Sequence, residues 1–596
     1  MNPFRETIVA SPWETARVDV PSIHGAVFDE CLRGIEFVRQ CRRSGALLLH
    51  GEAGSGKTHL LSRLRERLAL RAPSATGRDE SLFVWVRLQT SPRMIWRTLR
   101  RTLVDDWFRP IAGARSQFQR ILFHRLAEIR PAEGDLERWY EYMLEEQAGG
   151  LAELIDQIAV TLDLDRNTAV AFQHIAFGRH WRDLRAWLAG ASLPQAALER
   201  LDLSPDDGTD EEREDQSRQV VLMLCRLAGN GLPVVLSFDQ VEALQTEPGD
   251  RDALFAFGQL LSTLHDGTTN LLIVSCVQSA FATELKDQAR QADYDRMTSL
   301  GALSLHPLSR DQAEQLIAAR LNAANPPATA EDRPASWPLE PAEFDELFST
   351  GHVSPRRLLA LCAERFDVPG SASATAEWPL ETFLRDRWTS CLRDKVAANS
   401  PERTEEIVRH GLPLLAKLVA PEAAPVSDEL LPDVALVFDE AGRRAGLSVC
   451  NQANMNSLAA RFKRLKQQLA TGRLARLVLV KDTRVPLSPT ANAAREYLGD
   501  LEQQGAVVVC PSTESLAALD ALRELISDAK SGDLDCQGRP VPPQAVGEWL
   551  AANVSKCLRE FVDEVLGKPT VSAPMPASGA RELAPTSGTE RRARRA

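Results

Sequence analysis

Short apolar runs separated by helix-spaced segments characterise the first half of the chain. Such runs occupy residues 46–49, 81–90, 231–239 and 270–281, and each is followed by polar residues or glycine. Continuous apolar runs of this length are typical of strands buried on both faces of a parallel sheet. Segments such as 59–70 instead place apolar residues three or four positions apart, which indicates amphipathic helices. The pattern predicts an α/β core.

The long stretch between the second and third runs shows only helical spacing. Residues 91–220 therefore predict a helical insertion, because the usual connection between neighbouring strands is far shorter. Arg97, Arg100 and Arg101 occupy neighbouring positions on one predicted helix, and they fit either solvated arginines or a phosphate-contacting stripe. An acidic block at 204–216 favours a solvated loop.

A glycine-rich loop joins the first run to the first of these helices. Gly51, Gly56, Lys57 and Thr58 fit the spacing G-x-x-x-x-G-K-[ST], which presents inward-pointing backbone N–H groups to a phosphate chain. Lys57 is expected to reach the β- and γ-phosphates, and Thr58 to place its hydroxyl on Mg²⁺. The alternative is a glycine-rich turn without a ligand. The predicted ATP-binding residues are Gly51, Glu52, Ala53, Gly54, Ser55, Gly56, Lys57, Thr58 and His59.

The third and fourth runs end in residues that could complete such a site. Asp239 ends the third run, where a carboxylate holds Mg²⁺ directly or through water. Glu242 is the candidate base for the attacking water, and Gln240 is the competing water-positioning amide. A surface carboxylate and a helix cap are the structural alternatives for these acids. Ser275 and Gln278 are candidates for contact with the γ-phosphate.

Five segments occur in an order that resembles AAA+ and STAND-type ATPases, nearest to the origin-recognition-like branch: GEAGSGKT, VVLSFDQVE, LLIVSC, LHPLSRDQAEQLI and VSPRRLLALC. The segment DLRAWLAG followed by LPVVLSFDQVE is also similar to ATPases of bacteriophage-exclusion and other bacterial defence systems. The resemblance covers about residues 20–370 and implies a helical lid after the core. It also implies that Arg356 is a sensor of the γ-phosphate. Arg296 would then be an arginine finger toward a neighbouring subunit, in a homo-oligomer formed on nucleotide binding.

The last third of the chain returns to alternating strand and helix patterns. A predicted hairpin followed by helix, strand, helix and strand resembles the restriction-endonuclease-like core, in particular its Mrr-like branch. Asp439 would be the first metal-binding acid, but the next strand, LSVCNQ, lacks the required E-x-K residues. The resemblance therefore implies a non-cleaving domain that binds DNA or docks a partner, and the alternative is an unrelated α/β domain for protein contacts. A basic helix face fits DNA or an acidic partner and contains Arg461, Lys463, Arg464 and Lys466.

These patterns divide the chain into seven predicted parts. They are an N-terminal segment with the start of the ATPase core (1–90), the helical insertion (91–220), the second half of the core (221–305), the helical lid (306–370), a helical connector (371–425), a C-terminal α/β domain (426–566) and a disordered basic tail (567–596).

Composition narrows the function. The net charge of −12 argues against a uniformly basic surface that binds nucleic acid, but it is compatible with a local basic groove. The ten cysteines are scattered and lack the spacing of a zinc site, and the sequence has neither a long apolar run nor a signal-peptide core. These features predict a cytoplasmic protein that does not associate with membranes. The first hypothesis is an ATP-hydrolysing switch that assembles on DNA with other subunits of a multi-protein antiphage system. The alternative is a protein-triggered signalling scaffold that does not bind DNA; an ATP-driven nuclease and a small-molecule kinase are disfavoured.

Overall fold

A computed structural model describes most of the chain. The described residues are 2–5, 11–14, 18–70, 81–89, 91–109, 116–131, 135–229, 231–245, 250–324, 334–349, 351, 353–367, 380–423, 425, 431–440, 443–536 and 539–568. The predicted basic tail therefore lies outside the described residues from residue 569 onward.

A five-stranded parallel sheet forms the centre of the N-terminal part. Its strands are β1 (Gly45–His50), β2 (Leu82–Arg87), β3 (Val234–Asp239), β4 (Leu271–Val277) and β5 (Gly301–Ser304). The spatial order is β2-β3-β4-β1-β5, and every neighbouring pair is parallel. The central strands are buried on both faces, as their continuous apolar runs predict. This sheet with its helices fits the α/β core of a P-loop ATPase.

Helices cover the two faces of the sheet. One face packs against α1 (Gly25–Cys41) and α2 (Lys57–Leu70) through side chains such as Ile35 and Leu61. The apolar core on the other face begins with α3 (Ile95–Trp107), which packs on β2, and extends through the other helices that lie between β2 and β3 and after β3. These are α4 (Gln117–Ile129), α5 (Leu136–Glu146), α6 (Ala148–Thr161), α7 (Arg166–Ala176), α8 (Trp181–Leu188), α9 (Gln195–Leu201), α10 (Asp210–Leu227), α11 (Arg251–Gly267), α12 (Ser279–Gln288) and α13 (Gln291–Met297).

Three helices follow the sheet and build a separate apolar core. They are α14 (Arg310–Ala323), α15 (Pro341–Ser349) and α16 (Pro355–Asp367), and their core includes Phe4 and Val20 from the start of the chain. The lid predicted by resemblance falls on this part. Its first helix follows β5, and the start of α16 contacts the loop after β1, where the Arg356 backbone nitrogen donates to the Gly54 carbonyl.

The C-terminal part is a second layered α/β unit. Its four-stranded sheet has the order β6-β7-β8-β9, with an antiparallel β6–β7 hairpin and parallel pairs beyond it. Two apolar cores lie on its opposite faces, one beside α19 and α20 and one beside the remaining helices. The elements are α17 (Leu380–Ala398), α18 (Thr404–Val419), β6 (Leu436–Glu440), β7 (Arg443–Val449), α19 (Met455–Ala470), β8 (Arg476–Val480), α20 (Asn492–Gln503), β9 (Val507–Val509), α21 (Thr513–Lys530), β10 (Asp535–Cys536), β11 (Arg539–Pro540), α22 (Pro543–Ala552) and α23 (Lys556–Val565).

The acidic block at 204–216 differs from its prediction. From Asp210 onward it forms the first turns of α10, opened by a capping box between Thr209 and Glu212. Three acids in the first turn complement the positive end of the helix dipole. Asp210 itself is buried. The expectation of a solvated loop was wrong for this half of the block, because a cap favours helix there and cations from distant segments surround the carboxylate.

The arginines of α3 also differ from both interpretations. Arg97 and Arg101 form ion pairs with Glu405 and Glu406 of α18, at 3.3 and 2.6 Å. Arg100 is buried and donates hydrogen bonds to main-chain carbonyls at the end of α8. These side chains are paired with acids or main-chain carbonyls and tie the insertion to the C-terminal part and to its own helices, and all three also line a cavity of about 810 Å³.

The basic face predicted on α19 is largely internal. Arg461 is fully buried against Asp210 at 3.0 Å, and Arg464 contacts Asp433 at 2.5 Å. Lys466 pairs with Asp500 at 2.6 Å, whereas Lys463 is exposed. The prediction of an open basic surface here was wrong for Arg461 and Arg464, because acids from other segments of the fold neutralise them, and Asp210 is 251 positions from Arg461.

Among the described helices, none combines the length and the apolar character needed to cross a membrane.

Candidate active site

The loop between β1 and α2 has the geometry that a phosphate chain requires. Gly54 and Gly56 adopt φ values of 74° and 100°, which favour glycine. A Cβ on Gly54 would lie 2.7 Å from the Cβ of Arg356, so the position is also sterically closed to other residues. The Ser55 hydroxyl is buried without a hydrogen-bond partner among the described residues. The loop therefore lines a cavity and carries a buried polar atom that a ligand could satisfy.

Lys57 lies folded back over this loop at the start of α2. Its Nζ donates hydrogen bonds to the carbonyl oxygens of Gly51 and Glu52, at 2.8 and 3.1 Å. A lysine so placed reaches across the loop, and its ammonium is available to a phosphate that offers a stronger acceptor than a carbonyl.

A hydroxyl and a carboxylate meet beside the loop. Thr58 Oγ1 donates to Asp239 Oδ2 at 2.8 Å, which brings the first turn of α2 to the end of β3. Burial raises the pKa of Asp239, and the nearby Asp533 carboxylate acts in the same direction. Oxygen ligands of this kind suit Mg²⁺, which keeps several waters and binds through one or two protein groups plus phosphates. The described residues contain no cluster of three or more His, Cys, Asp or Glu suited to a metal, so an all-protein cage is absent from them.

Glu242 lies on a short 3-10 segment, Val241–Leu244, that follows β3. Its Oε2 is buried and has no hydrogen-bond partner in the part of the chain that the structure describes. Burial raises the pKa of Glu242 to about 7, although the Lys57 ammonium opposes this shift. A buried carboxyl group with a free oxygen and a pKa near neutrality fits a general base.

Gln240 is already committed to other groups. Its backbone has a left-handed φ of 55°, and its side-chain oxygen accepts two hydrogen bonds from Arg87, at 3.0 and 2.6 Å. Its amide nitrogen donates to Asp533. Of the two residues proposed to handle the attacking water, Glu242 is the one with a free polar atom.

Arg356 lies at the N-terminal turn of α16, directly against the loop. Its backbone nitrogen donates to the Gly54 carbonyl at 3.4 Å. Its guanidinium donates to the Gly532 carbonyl at 2.6 Å and to the Asp533 carboxylate at 2.7 Å. The predicted sensor therefore lies beside the phosphate-binding loop, paired with an acid of the C-terminal part.

Several predicted residues lie elsewhere. Ser275 is buried inside the sheet, where it pairs in register with Leu48 and Phe238, and it does not line the cavity at the loop. Gln278 contacts the Lys530 carbonyl at 3.1 Å. Arg296 forms an ion pair with Asp266 at 2.8 Å and is likewise outside the cavity.

The structure adds His24, Arg87 and Asp533 to the site, for which sequence reasoning had no motif, and it also locates the predicted residue His59. His24 Nε2 lies 2.7 Å from the Ser55 carbonyl, and His59 Nε2 lies 3.2 Å from the Val18 carbonyl. Arg87 ends β2 in register with Asp239, so the end of the neighbouring strand was a signal that could have identified it. Asp533 has no such signal, because it belongs to the other end of the chain.

One of the comparisons with known proteins, the match to a family, supports an ATPase core. No curated protein matches the chain. Among solved structures, the Aeropyrum pernix ORC1 protein in complex with DNA is similar over 84% of this chain and 89% of that chain, with 13% identity and a TM-score of 0.31. Likeness at that level adds no argument about function. Residues 39–130, which contain β1, the glycine-rich loop, α2 and β2, match the AAA domain family, and with the parallel sheet this match supports an AAA+ P-loop ATPase core.

Proposed function

We propose that this protein binds ATP with Mg²⁺ and hydrolyses it, and that it works as a nucleotide-dependent switch. The proposal is supported above all by one juxtaposition. The Thr58–Asp239 contact of 2.8 Å and the unpartnered Glu242 oxygen line the same cavity as the glycine-rich loop. These are the groups that phosphoryl transfer to water requires: a phosphate cradle, a metal-binding pair and a base.

Each residue has one role in the proposal. The backbone of residues 51–56 and the Lys57 ammonium bind the phosphates, and Thr58 and Asp239 hold Mg²⁺. That ion would polarise phosphate oxygens and neutralise developing charge. Glu242 accepts a proton from the attacking water, and Arg356 contacts the γ-phosphate. In a homo-oligomer, Arg296 of one subunit would complete the site of its neighbour.

Replacement of Lys57 tests the phosphate site. Lys57→Ala should abolish Mg²⁺-dependent ATP hydrolysis, because the loop then lacks the cation that binds the β- and γ-phosphates. Lys463→Ala is the matched control, since Lys463 is an exposed lysine of the C-terminal part. Hydrolysis at the wild-type rate by the folded Lys57→Ala protein would overturn the proposal.

Replacement of Glu242 tests the base. Glu242→Gln should bind ATP and turn it over about 10²–10⁴-fold more slowly, the usual contribution of general base catalysis. An unchanged rate would transfer the role to Gln240, whose own Gln240→Ala variant should then be inactive.

We further propose that the switch acts on DNA, in the cytoplasm, as one subunit of a multi-protein bacterial antiphage system. Only the resemblance of the sequence motifs supports this step. One structural observation favours the alternative, a protein-triggered scaffold that does not bind DNA. Two basic segments that could contact phosphates, at 97–101 and 461–464, are largely held in internal contacts.

The rate of ATP hydrolysis against added double-stranded DNA, at low and moderate salt, separates the two functions. Stimulation that fades with salt is expected for a DNA-associated switch, because phosphate contacts release counterions. A rate that ignores DNA in an otherwise active enzyme supports the protein-triggered scaffold.

A further inference from the structure

The end of α21 lies directly on the candidate nucleotide site. We call residues 528–533 the docking turn. It is a Schellman motif, in which Asp533 N donates to the Asp528 carbonyl at 2.8 Å and Gly532 N donates to the Ala529 carbonyl at 3.1 Å. Gly532 has a φ of 69°, as this motif requires. The turn therefore holds the Asp533 backbone in a fixed position.

The docking turn contacts the residues expected to sense the γ-phosphate. The Asp533 carboxylate accepts hydrogen bonds from Arg356 and from Gln240, and the Gly532 carbonyl accepts another from Arg356. A Cβ on Gly532 would lie 2.5 Å from the Ala53 Cβ, so the turn touches the phosphate-binding loop itself. All the hydrogen-bonded partners of the Arg356 guanidinium among the described residues belong to this turn.

Further contacts surround the turn. Asp528 pairs with Arg87 at 3.3 Å and with Arg387 at 2.9 Å, and the Lys530 carbonyl accepts from Gln278. Arg87 ends β2 and Gln278 directly follows β4, and these two strands flank β3 in the sheet. The turn is therefore bound from both sides of β3. Gln278, an expected γ-phosphate contact, is bound to the turn instead.

The space that remains at the loop is small. The cavity measures about 180 Å³, and its walls include the loop, Arg356 and Asp533. Pockets that bury drug-sized ligands measure roughly 300–1,000 Å³. A nucleoside triphosphate bound at the loop would therefore extend beyond this cavity, and Ser531 and Asp533 of the docking turn form part of its wall.

Charge leads to the same conclusion. Burial acts to raise the pKa of Asp533, but the cations around it, Arg356 first and then Lys57 and Arg87, together hold the pKa below its ordinary value. Asp533 is therefore an anion at neutral pH, placed on the arginine that would bind the γ-phosphate. Two anions cannot share one buried arginine without strong mutual repulsion.

We infer that the Asp533 carboxylate competes with the phosphates of ATP for Arg356, so that ATP binding displaces the docking turn from the site. The C-terminal part thereby restrains the ATPase until nucleotide or another molecule frees the turn. This inference rests on the proposed function, since it requires that the loop bind ATP. The ion pairs between the insertion and the C-terminal part lie outside the cavity and can hold the two together while the turn moves.

Removal of the charge tests the competition. Asp533→Asn should bind a non-hydrolysable ATP analogue at least about tenfold more tightly than wild type, measured by calorimetry on the full chain. Asp287→Asn is the matched control, because Asp287 is an exposed aspartate on α12. Equal or weaker binding by a folded Asp533→Asn protein would overturn the inference, and weaker binding would assign Asp533 to the nucleotide site instead.

A second variant moves the turn and keeps the carboxylate. Gly532→Ala places a Cβ against Ala53 and should tighten analogue binding in the same direction. Gly505→Ala is its control, since Gly505 also has a positive φ, of 90°, and a Cβ there meets nothing within 4 Å. No difference between these two variants would contradict the inference.

Amide hydrogen exchange provides a readout that does not depend on affinity. Residues 528–534 should exchange faster in wild type once the analogue binds, and faster in Asp533→Asn without it. Unchanged exchange in both cases would refute displacement of the turn. If wild type binds no nucleotide at all, the proposed function fails, whereas the exchange of the free Asp533→Asn protein still reports whether Asp533 holds the turn in place.

Discussion

The carboxylate of Asp210 holds together three arginines from different parts of the chain. Its oxygens lie 2.5 Å from Arg409, 3.0 Å from Arg461 and 3.8 Å from Arg97. These partners belong to α18, α19 and α3, so the carboxylate connects the insertion to the C-terminal part. Asp210→Asn removes the charge at nearly constant volume, and it leaves Arg461 buried with Asp433 at 3.7 Å as its remaining ion-pair partner.

The expected loss follows from burial. Removal of one partner from a buried ion pair typically costs about 3–5 kcal/mol, because the remaining charge stays desolvated. We expect about 3 kcal/mol here, since Arg409 keeps Glu405 at 3.1 Å and Arg461 keeps Asp433. Asp215→Asn on the same helix is the control. Its exposed pair with Arg218, at 2.5 Å, should contribute at most about 1 kcal/mol.

The assay is urea unfolding of the full chain at pH 7, followed by tryptophan fluorescence and circular dichroism together, so that any uncoupled transition is visible. Burial alone would raise the pKa of Asp210, but Arg461 and its neighbours hold it well below the ordinary value. A depressed pKa contributes stability above the unfolded value, about 3.9, and loses it as the pH falls through the folded value. The difference between wild type and Asp210→Asn should therefore stay constant from about pH 5 to 8. A loss no larger than that of Asp215→Asn would refute the reasoning.

Two further predictions concern the catalytic site. Burial raises the pKa of Glu242 to about 7, and a general base must be ionised, so the rate of hydrolysis should rise up to about pH 7 and then level off. The Glu242→Gln variant should lack this inflection in its pH profile. If the inflection persists in the variant, Glu242 is not the base. Gly54→Ala should lose ATP binding, because the new Cβ would lie 2.7 Å from the Cβ of Arg356. Gly178→Ala is the control and should bind ATP normally, since Gly178 also has a positive φ but a Cβ there meets nothing within 4 Å. Equal ATP binding by the two variants would contradict the steric argument.

The core could be predicted because its signals are local. Each central strand is a continuous apolar run, and the glycine spacing before Lys57 specifies a loop between a strand and a helix. The ends of parallel strands meet at one edge, and the structure places Thr58 Oγ1 and Asp239 Oδ2 2.8 Å apart at that edge. Such features need no knowledge of distant residues.

The charged residues could not be predicted in the same way. Arg461 and Asp210 each resemble a solvated surface residue within their own segments, and they neutralise one another across 251 positions of the chain. Asp533 is likewise an ordinary acid after a helix until the fold brings it to Arg356, which lies 177 positions away. A charge pattern in sequence does not distinguish a solvated face from half of a buried pair.

The strand order of the core also constrains how the chain can fold as it is synthesised. β1 and β2 do not pair with each other, because β2 pairs with β3 and β1 pairs with β4 and β5. The Ser237 hydroxyl, on β3, bonds the Val84 carbonyl, on β2, across 153 positions. At about 5–20 residues per second, β2 emerges roughly 8–30 s before the strand that it needs. The helices of the insertion form local contacts and can fold first. Because α3 of the insertion packs on β2 in the folded protein, we expect the insertion to cover the apolar β2 strand on the ribosome until the sheet can close.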